Sequence, residues 1–193
     1  SQEYTQEQSR VMRYVIAQLA NKSYGVDSLE LFDSTDFIDM DGDSDITIGD
    51  DILAQVELDG SFNVNGVILS YPLPNLTYPS TYSGHKGIDL HSTGKLGDPV
   101  YAAAPGKVIT AKYDPSWGNY VKIDHGNGIY TLYAHASKLL VTVGQQVERG
   151  QLIMLEGSTG NSSGPHVHFE IWVNGSRGMS QALTCKMFGI SPQ

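Results

Sequence analysis

Two histidines and a glutamate alternate near the end of the chain, in the stretch GPHVHFEIWV at residues 164–173. Apolar residues fill most of the intervening positions, which is the two-residue repeat of a half-buried β-strand. His166, His168 and Glu170 are therefore expected on one face of that strand. Neighbouring imidazoles on one face can bind a metal ion, whereas the alternative is an edge strand with a solvated polar face. Further ligands elsewhere in the chain would favour the metal site.

Three more residues of ligand or acid–base type lie upstream. His85 and Asp89 stand in GHKGIDL, and His135 stands in TLYAHAS. A catalytic zinc site of two histidines and one carboxylate leaves a fourth coordination position for water. His85, Asp89 and His168 could supply that set. His135 and His166 would then be unliganded imidazoles beside the metal, able to move protons or to stabilise an oxyanion.

The composition is that of a globular protein. The chain has 193 residues, of which 40% are hydrophobic and 17% charged, enough for a core domain of about 120 residues with a smaller companion. No apolar run is long enough for a transmembrane segment. The N-terminal residues lack the pattern of a signal peptide, so we expect an export signal to be either removed or never present. The one cysteine, Cys185, excludes a disulfide framework and is interpreted as a buried small hydrophobe.

The elements that position these residues divide the chain in two. Residues 1–60 contain 14 of the 21 acidic and 3 of the 12 basic residues, which argues against nucleic-acid binding there. We predict a helical acidic segment at 1–70, with helices near residues 11–19 and 50–58. The remainder, 71–193, is predicted to be mainly β, with its strands in PVYAAAPGKVITAKY, NYVKIDHG, GIYTLYAHA, QLIMLEGS and VHFEIWV, and with a hairpin turn at HGNG.

Aspartates in the acidic segment repeat at a spacing close to that of an EF-hand or dockerin-type calcium loop. The aspartates concerned are Asp39, Asp41, Asp43, Asp45 and Asp50. A serine in place of the turn glycine and an aspartate at the twelfth position depart from the usual loop. The spacing predicts a Ca²⁺ site that raises thermal stability, and the alternative is a solvated acidic turn.

Three motifs, HKGID, YAH and HVHFE, resemble the signature of the lysostaphin-type (LytM-like) zinc metalloendopeptidases of bacterial cell walls, a likeness that extends over residues 71–173. The resemblance implies an α+β fold, with an antiparallel β catalytic domain whose sheet carries a groove. It also implies that His85, Asp89 and His168 hold Zn²⁺ and that His135 and His166 are the unliganded catalytic pair.

The same resemblance implies a secreted bacterial enzyme of the cell wall or periplasm, which cleaves peptide bonds in peptidoglycan cross-links or stems with a zinc-activated water. Tyr133 either adds a hydroxyl to the groove or packs in its strand. Glu170 either supports a zinc ligand or forms a salt bridge at the rim. Ala136 replaces the usual aliphatic residue, and the family's glycine and arginine loop before His85 is not recognisable, so substrate choice does not transfer.

Two other functions compete with this one. A catalytically silent relative would act as a cell-wall binding or activating module, although all five site positions are filled. A biotinyl or lipoyl carrier domain would need a modifiable lysine that QLIMLEGSTG lacks. His91 is predicted to be structural or exposed, and His125 a turn residue. The acidic segment is interpreted as a spacer, a docking element for an unknown protein partner, or a segment that covers the groove.

Overall fold

The computed structural model describes residues 47–48, 52–56, 61–73, 79–93 and 95–193. The helix predicted near residues 11–19 and the candidate calcium aspartates lie outside these residues, so both stay predictions. Within the described residues, the secondary structure is antiparallel β-sheet with one short helix. That composition agrees with the predicted fold class.

Four short strands form the first sheet, in the order β1-β2-β3-β4. Their bounds are β1 Thr47–Ile48, β2 Ile52–Val56, β3 Phe62–Val64 and β4 Val67–Leu69. The short helix predicted over 50–58 is wrong, because residues 52–56 pair with β1 on one side and β3 on the other. A short apolar run does not distinguish helix from strand by periodicity alone, and here partner strands decide.

A seven-stranded sheet, in the order β12-β8-β9-β10-β14-β6-β5, makes up most of the remaining structure. Its strands are β5 Pro79–Ser80, β6 Ile88–Leu90, β8 Gly106–Asp114, β9 Gly118–Asp124, β10 Ile129–Ala136, β12 Gln146–Val147 and β14 Val167–Val173. A third sheet joins β7 Pro99–Tyr101, β11 Lys138–Leu139 and β13 Leu152–Leu155. The strands predicted from the five β-type segments are all present, and HGNG forms the turn between β9 and β10.

One apolar core is shared by the sheets. Phe62 and Val64 of the first sheet belong to the same buried cluster as Val121 and Phe169 of the seven-stranded sheet. The boundary predicted near residue 70 therefore falls between stretches that bury their side chains together.

The sequence reasoning missed the helix α1, Ser180–Phe188, which packs against β14. The backbone N–H of Ile171 donates to Ser180 Oγ (3.0 Å), which fixes the start of the helix to the strand. Cys185 lies in α1 and is buried, as predicted. No helix in the described part of the chain is long and apolar enough to cross a membrane.

Candidate metal centre

Three side chains on adjacent strands bring their ligand atoms together. Asp89 Oδ1 lies 3.4 Å from His85 Nε2 and 3.3 Å from His168 Nδ1. One ligand atom from each residue falls within 4.8 Å of the others, and no second such group occurs among the described residues. Donors about 2.0–2.1 Å from a tetrahedral zinc ion would lie about 3.3 Å apart. The donor types and the two separations from Asp89 therefore fit zinc.

Strand pairing explains why residues distant in sequence meet here. His168 of β14 is directly opposite Asp89 of β6 in the antiparallel register, so both side chains leave the same face of the sheet. His85 comes four residues before Asp89, in the turn that leads into β6. Gly87 lies within this turn, and a Cβ there would collide with the carbonyl oxygen of Phe169. The HKGID motif thus needs glycine because its backbone packs directly against β14.

The imidazole of His85 is held by a hydroxyl. Thr81 Oγ1 donates to the carbonyl oxygen of Gly87 (2.9 Å) and lies 3.2 Å from His85 Nδ1. Because this hydroxyl hydrogen is already used, His85 Nδ1–H is the donor in the second contact. His85 Nε2 is then unprotonated and faces Asp89, as a metal ligand requires.

The other candidate ligand histidine is held by a carboxylate. His168 Nε2 lies 3.1 Å from Glu170 Oε2, and Arg177 donates to Glu170 from Nε (2.8 Å) and Nη2 (3.0 Å). Burial opposes ionisation of Glu170, but the contacts with His168 and Arg177 leave its pKa below the ordinary value. An ionised Glu170 accepts the Nε2–H of His168 and leaves Nδ1 for a metal.

Two further imidazoles, His135 and His166, border the three ligand residues. Their ring centroids are 4.6 Å apart. His135 Nδ1 lies 2.7 Å from the carbonyl oxygen of Thr159, and His166 Nδ1 lies 2.8 Å from that of Gly164. A carbonyl only accepts, so each Nδ1 carries the hydrogen. In its neutral form each ring then has an unprotonated Nε2 that can accept a proton, and Nε2 of His166 lies 3.7 Å from Asp89 Oδ1.

His135 reaches this face only through a break in its strand. Simple alternation would place His135 with Tyr133, which faces the core. The pairing of β10 with β9 shifts register between Tyr133 and Ala136, and His135 has a φ of 66°. A positive φ is costly for a residue with a Cβ and often marks a functional position. Here it turns the imidazole to the side of His166.

Burial and neighbouring histidines make His135 a weak base in this setting. Burial is the largest effect, and His166 and His168 add to it, lowering the pKa of His135 to about 4 although the Thr159 carbonyl opposes the shift. The ring is then neutral at neutral pH, the state in which its Nε2 can accept a hydrogen bond or a proton.

These residues line an open cleft of about 430 Å³. Its walls include Tyr82, Trp117, Asn161 and Arg177 in addition to the ligands and the two free imidazoles. The ring of Tyr82 stacks on His85 at a centroid distance of 4.1 Å. A cleft with three convergent candidate ligands, two further imidazoles and aromatic walls has the parts needed for metal-assisted hydrolysis.

Comparison with known proteins agrees with this arrangement. The sequence model of peptidase family M23 matches residues 83–179, which include all five site residues. The chain belongs to peptidase family M23. Curated M23 relatives include the peptidoglycan DD-endopeptidase ShyA of Vibrio cholerae, 44% identical over 104 residues, which are 53% of this chain and 24% of that protein. The DD-carboxypeptidase/endopeptidase Mpg of Neisseria meningitidis is 38% identical over 121 residues, covering 60% of this chain and 27% of Mpg. The chain spans about a quarter of the length of these relatives.

Solved structures share the M23 fold. A putative M23 peptidase of Pseudomonas aeruginosa has a TM-score of 0.54 and 31% identity, over 64% of this chain and 51% of that one. Lysostaphin of Staphylococcus simulans has a TM-score of 0.51 and 32% identity, over 61% of this chain and 52% of that one. A zinc-containing peptidase of Vibrio cholerae has a TM-score of 0.50 and 33% identity, over 64% and 44%.

Tyr133 does not face the cleft of this M23 chain. It is fully buried, its hydroxyl accepts from the backbone N–H of Ala103 (2.9 Å), and it lies 2.7 Å from Thr131 Oγ1. These contacts agree with the alternative that Tyr133 packs within its strand, and a fully buried hydroxyl does not line the groove. Burial raises the pKa of Tyr133 to about 12, so the hydroxyl stays protonated.

The remaining histidines lie apart from the ligand group. His91 Nδ1 is 3.3 Å from the carbonyl oxygen of Pro165, at the edge of the site. His125 begins the β9–β10 turn, as predicted, and contacts Pro105 O (2.8 Å) and Thr131 Oγ1 (2.6 Å).

The sequence reasoning did not identify the groups that anchor the imidazoles or line the M23 cleft, namely Thr81, Thr159, Trp117 and Arg177. None stands in one of the three motifs, and each reaches the site through contacts across strands or turns. The one signal available was the glycine-bounded GSTG turn that contains Thr159, because glycines bracketing a polar residue often mark a close approach of backbone.

Proposed function

We propose that the chain is a zinc-dependent endopeptidase that hydrolyses peptide bonds in peptidoglycan cross-links or stem peptides. The observation that carries this proposal is the convergence of the three donor atoms of His85, Asp89 and His168 beside two imidazoles with free Nε2 atoms. The naming of curated M23 relatives as peptidoglycan DD-endopeptidases supports the choice of substrate.

His85 Nε2, Asp89 Oδ1 and His168 Nδ1 would hold the zinc ion. Zinc in such a site would supply a Lewis acid that polarises the scissile carbonyl and makes a water molecule more acidic. Thr81 and Glu170 keep the ligand rings in the required tautomers. The buried Glu170 also adds negative charge behind His168, which makes that ligand more basic.

His135 and His166 would manage the proton and the developing negative charge. Either Nε2 can accept the proton of the attacking water, and the ring protonated in this way can then stabilise the developing oxyanion and donate that proton to the leaving amine. The carbonyl oxygens of Thr159 and Gly164 stabilise each ring once it becomes positively charged.

The proposal is tested by incubating purified peptidoglycan with the zinc-loaded native chain and with His168→Ala, and measuring released peptides and bound metal. We expect new amine termini from the native chain, and loss of both zinc and release in the variant. The matched control is His125→Gln, which removes an imidazole from the opposite face of the sheet and should keep both. Full zinc occupancy without release from several types of wall would reject hydrolysis and favour the binding or activating module.

A further inference from the structure

Arg177 has a fixed position in the turn between β14 and α1. Its Nε and Nη2 make two parallel hydrogen bonds to the carboxylate of Glu170, at 2.8 and 3.0 Å. Glu170 is fully buried and Arg177 is 39% exposed. Because a two-point contact with an immobile carboxylate sets the plane of a guanidinium, Arg177 is oriented without help from a ligand.

Two tryptophan rings lie beside this guanidinium. Its Cζ lies 5.2 Å from the ring centroid of Trp117 and 5.9 Å from that of Trp172. The indole rings are themselves 6.4 Å apart and pack with Tyr120 on the metal-bearing face of the sheet. Packing between two indole rings and a buried carboxylate restricts the rotamers of Arg177, so a ligand that binds it would lose little additional side-chain entropy.

One edge of the guanidinium makes no hydrogen bond to the described residues. Nη1 has no hydrogen-bond partner among the described residues, and Arg177 lines the same cleft as His135 and His168. The described walls of the cleft contain two permanent cations, Arg177 and Lys86, whereas their one carboxylate, Asp89, belongs to the ligand group. A peptide that enters this cleft therefore meets an oriented donor and an excess of positive charge.

We propose that the free edge of Arg177 binds a carboxylate of the substrate peptide and makes this M23 chain selective for acidic over amidated peptides. This inference rests on the proposed function, because it concerns the occupant of the same cleft. The donor is directional and planar, so it favours a carboxylate over a neutral carboxamide, which offers only one acceptor oxygen. The alternative is that Arg177 does nothing more than neutralise Glu170.

The experiment uses soluble cross-linked stem-peptide dimers in which every carboxylate is free, and matched dimers in which one carboxylate at a time is amidated. Binding is measured by calorimetry and cleavage by kcat/KM, with the full zinc-loaded chain. We expect one amidation to reduce binding and kcat/KM about tenfold, the value of one charge-assisted contact. Amidation at the other carboxylates should have little effect.

Arg177→Lys is the first variant, because it keeps a positive charge beside buried Glu170 while the ammonium lacks a second rigid edge. The double variant Glu170→Gln/Arg177→Gln leaves no lone buried charge and serves if Arg177→Lys unfolds. Both should lose the tenfold discrimination, and melting curves check that they fold. The matched control Lys122→Gln removes a cation 3.4 Å from the Trp172 ring centroid but outside the cleft walls, so it should keep the discrimination.

The outcomes separate the two proposals. Native discrimination that disappears in Arg177→Lys and persists in Lys122→Gln supports the carboxylate site. Equal cleavage of all dimers by the native chain overturns it, as does a variant that slows every dimer by the same factor, because a purely structural role predicts that result. If the native chain cleaves no dimer, the proposed hydrolysis fails, and discrimination in the calorimetry alone then decides the fate of the carboxylate site.

Discussion

The two faces of the β10–β14 pair carry hydrogen-bonded chains of similar composition but different chemical capacity. On one face the chain runs from His168 through Glu170 to Arg177. On the other face it runs from His125 through Thr131 to Tyr133, and ends at the backbone of Ala103. Both contain a histidine and both are largely removed from water.

The faces differ in what their polar groups have left to bind. On the core face, both nitrogens of His125 have partners and the Tyr133 hydroxyl contacts two groups, so nothing remains for a ligand. On the face that carries His168, the three candidate ligand atoms converge, and none of them carries a hydrogen in the tautomers described above. The neutral rings of His135 and His166 each add an Nε2 that can accept a proton. A functional site is therefore marked by unused bonding capacity that converges on one point, and not by the presence of histidine.

The largest expected effect comes from deleting the imidazole that the broken strand turns onto the metal face. His135→Ala should lower kcat by about 10²- to 10⁴-fold, because positioned acid–base groups contribute that much. Its zinc content should equal that of the native chain, since His135 is not one of the three proposed ligands. Metal analysis beside peptidoglycan hydrolysis checks this, and loss of zinc comparable to that of His168→Ala would place His135 in the ligand group instead.

A buried carboxylate lies outside both faces of the β10–β14 pair. Glu156, just after β13, is fully buried, and among the described residues its oxygens have no well-formed hydrogen bond, the backbone N–H of Ser92 being the one group that lowers its pKa. Burial, with a smaller repulsion from Asp98, raises the pKa of Glu156 from 4.5 to about 7. A group whose folded-state pKa is raised stabilises the fold at low pH, and that stability is lost as pH rises through about 7. A buried carboxylate with unused hydrogen-bonding capacity but no other ligand groups beside it thus makes stability depend on pH and does not form a binding site.

We therefore expect Glu156→Gln to remove the loss of stability that the native chain shows as pH rises. Relative to the native chain, its free energy of unfolding should rise by about 3 kcal/mol between pH 5 and pH 8. Urea unfolding of both chains in chelator, at each pH, measures the difference, in which other titrating groups cancel. Glu148→Gln, at an exposed carboxylate, should show no such change, and a parallel pH profile for Glu156→Gln and the native chain would contradict the prediction.

The carboxylate behind His168 is expected to have a smaller effect than the ligands. Glu170→Gln keeps the size of the side chain but removes the charge that accepts from His168 Nε2. The affinity for zinc should fall about 10- to 100-fold, as is usual when the partner of a metal-bound histidine is changed. Competition with a chromophoric chelator gives the zinc Kd, and an unchanged Kd would assign Glu170 to the structural pairing with Arg177 alone.

How much of this site was predictable depends on the sequence distance between partners. His168 and Glu170 were placed on one face by alternation within a single strand, and five β-type segments were found for the same reason. The groove role of Tyr133 failed because the bulge and the positive φ at His135 separate two residues that alternation puts together. Arg177 and Thr159 were not found because their contacts depend on strand pairing and turn geometry that local sequence does not encode.

The smallest expected effect tests the claim that Tyr133 belongs to the core face. Tyr133→Phe removes the hydroxyl that contacts Ala103 and Thr131, and it leaves a buried N–H without its acceptor. We expect a loss of about 1–2 kcal/mol in the free energy of unfolding, with kcat unchanged well below the melting temperature. Tyr130→Phe, on the metal-bearing side of the same strand and half-buried, is the matched control and should cost less. A fall in kcat with unchanged stability would return Tyr133 to the cleft and would show that alternation, and not the break at His135, describes this strand in solution.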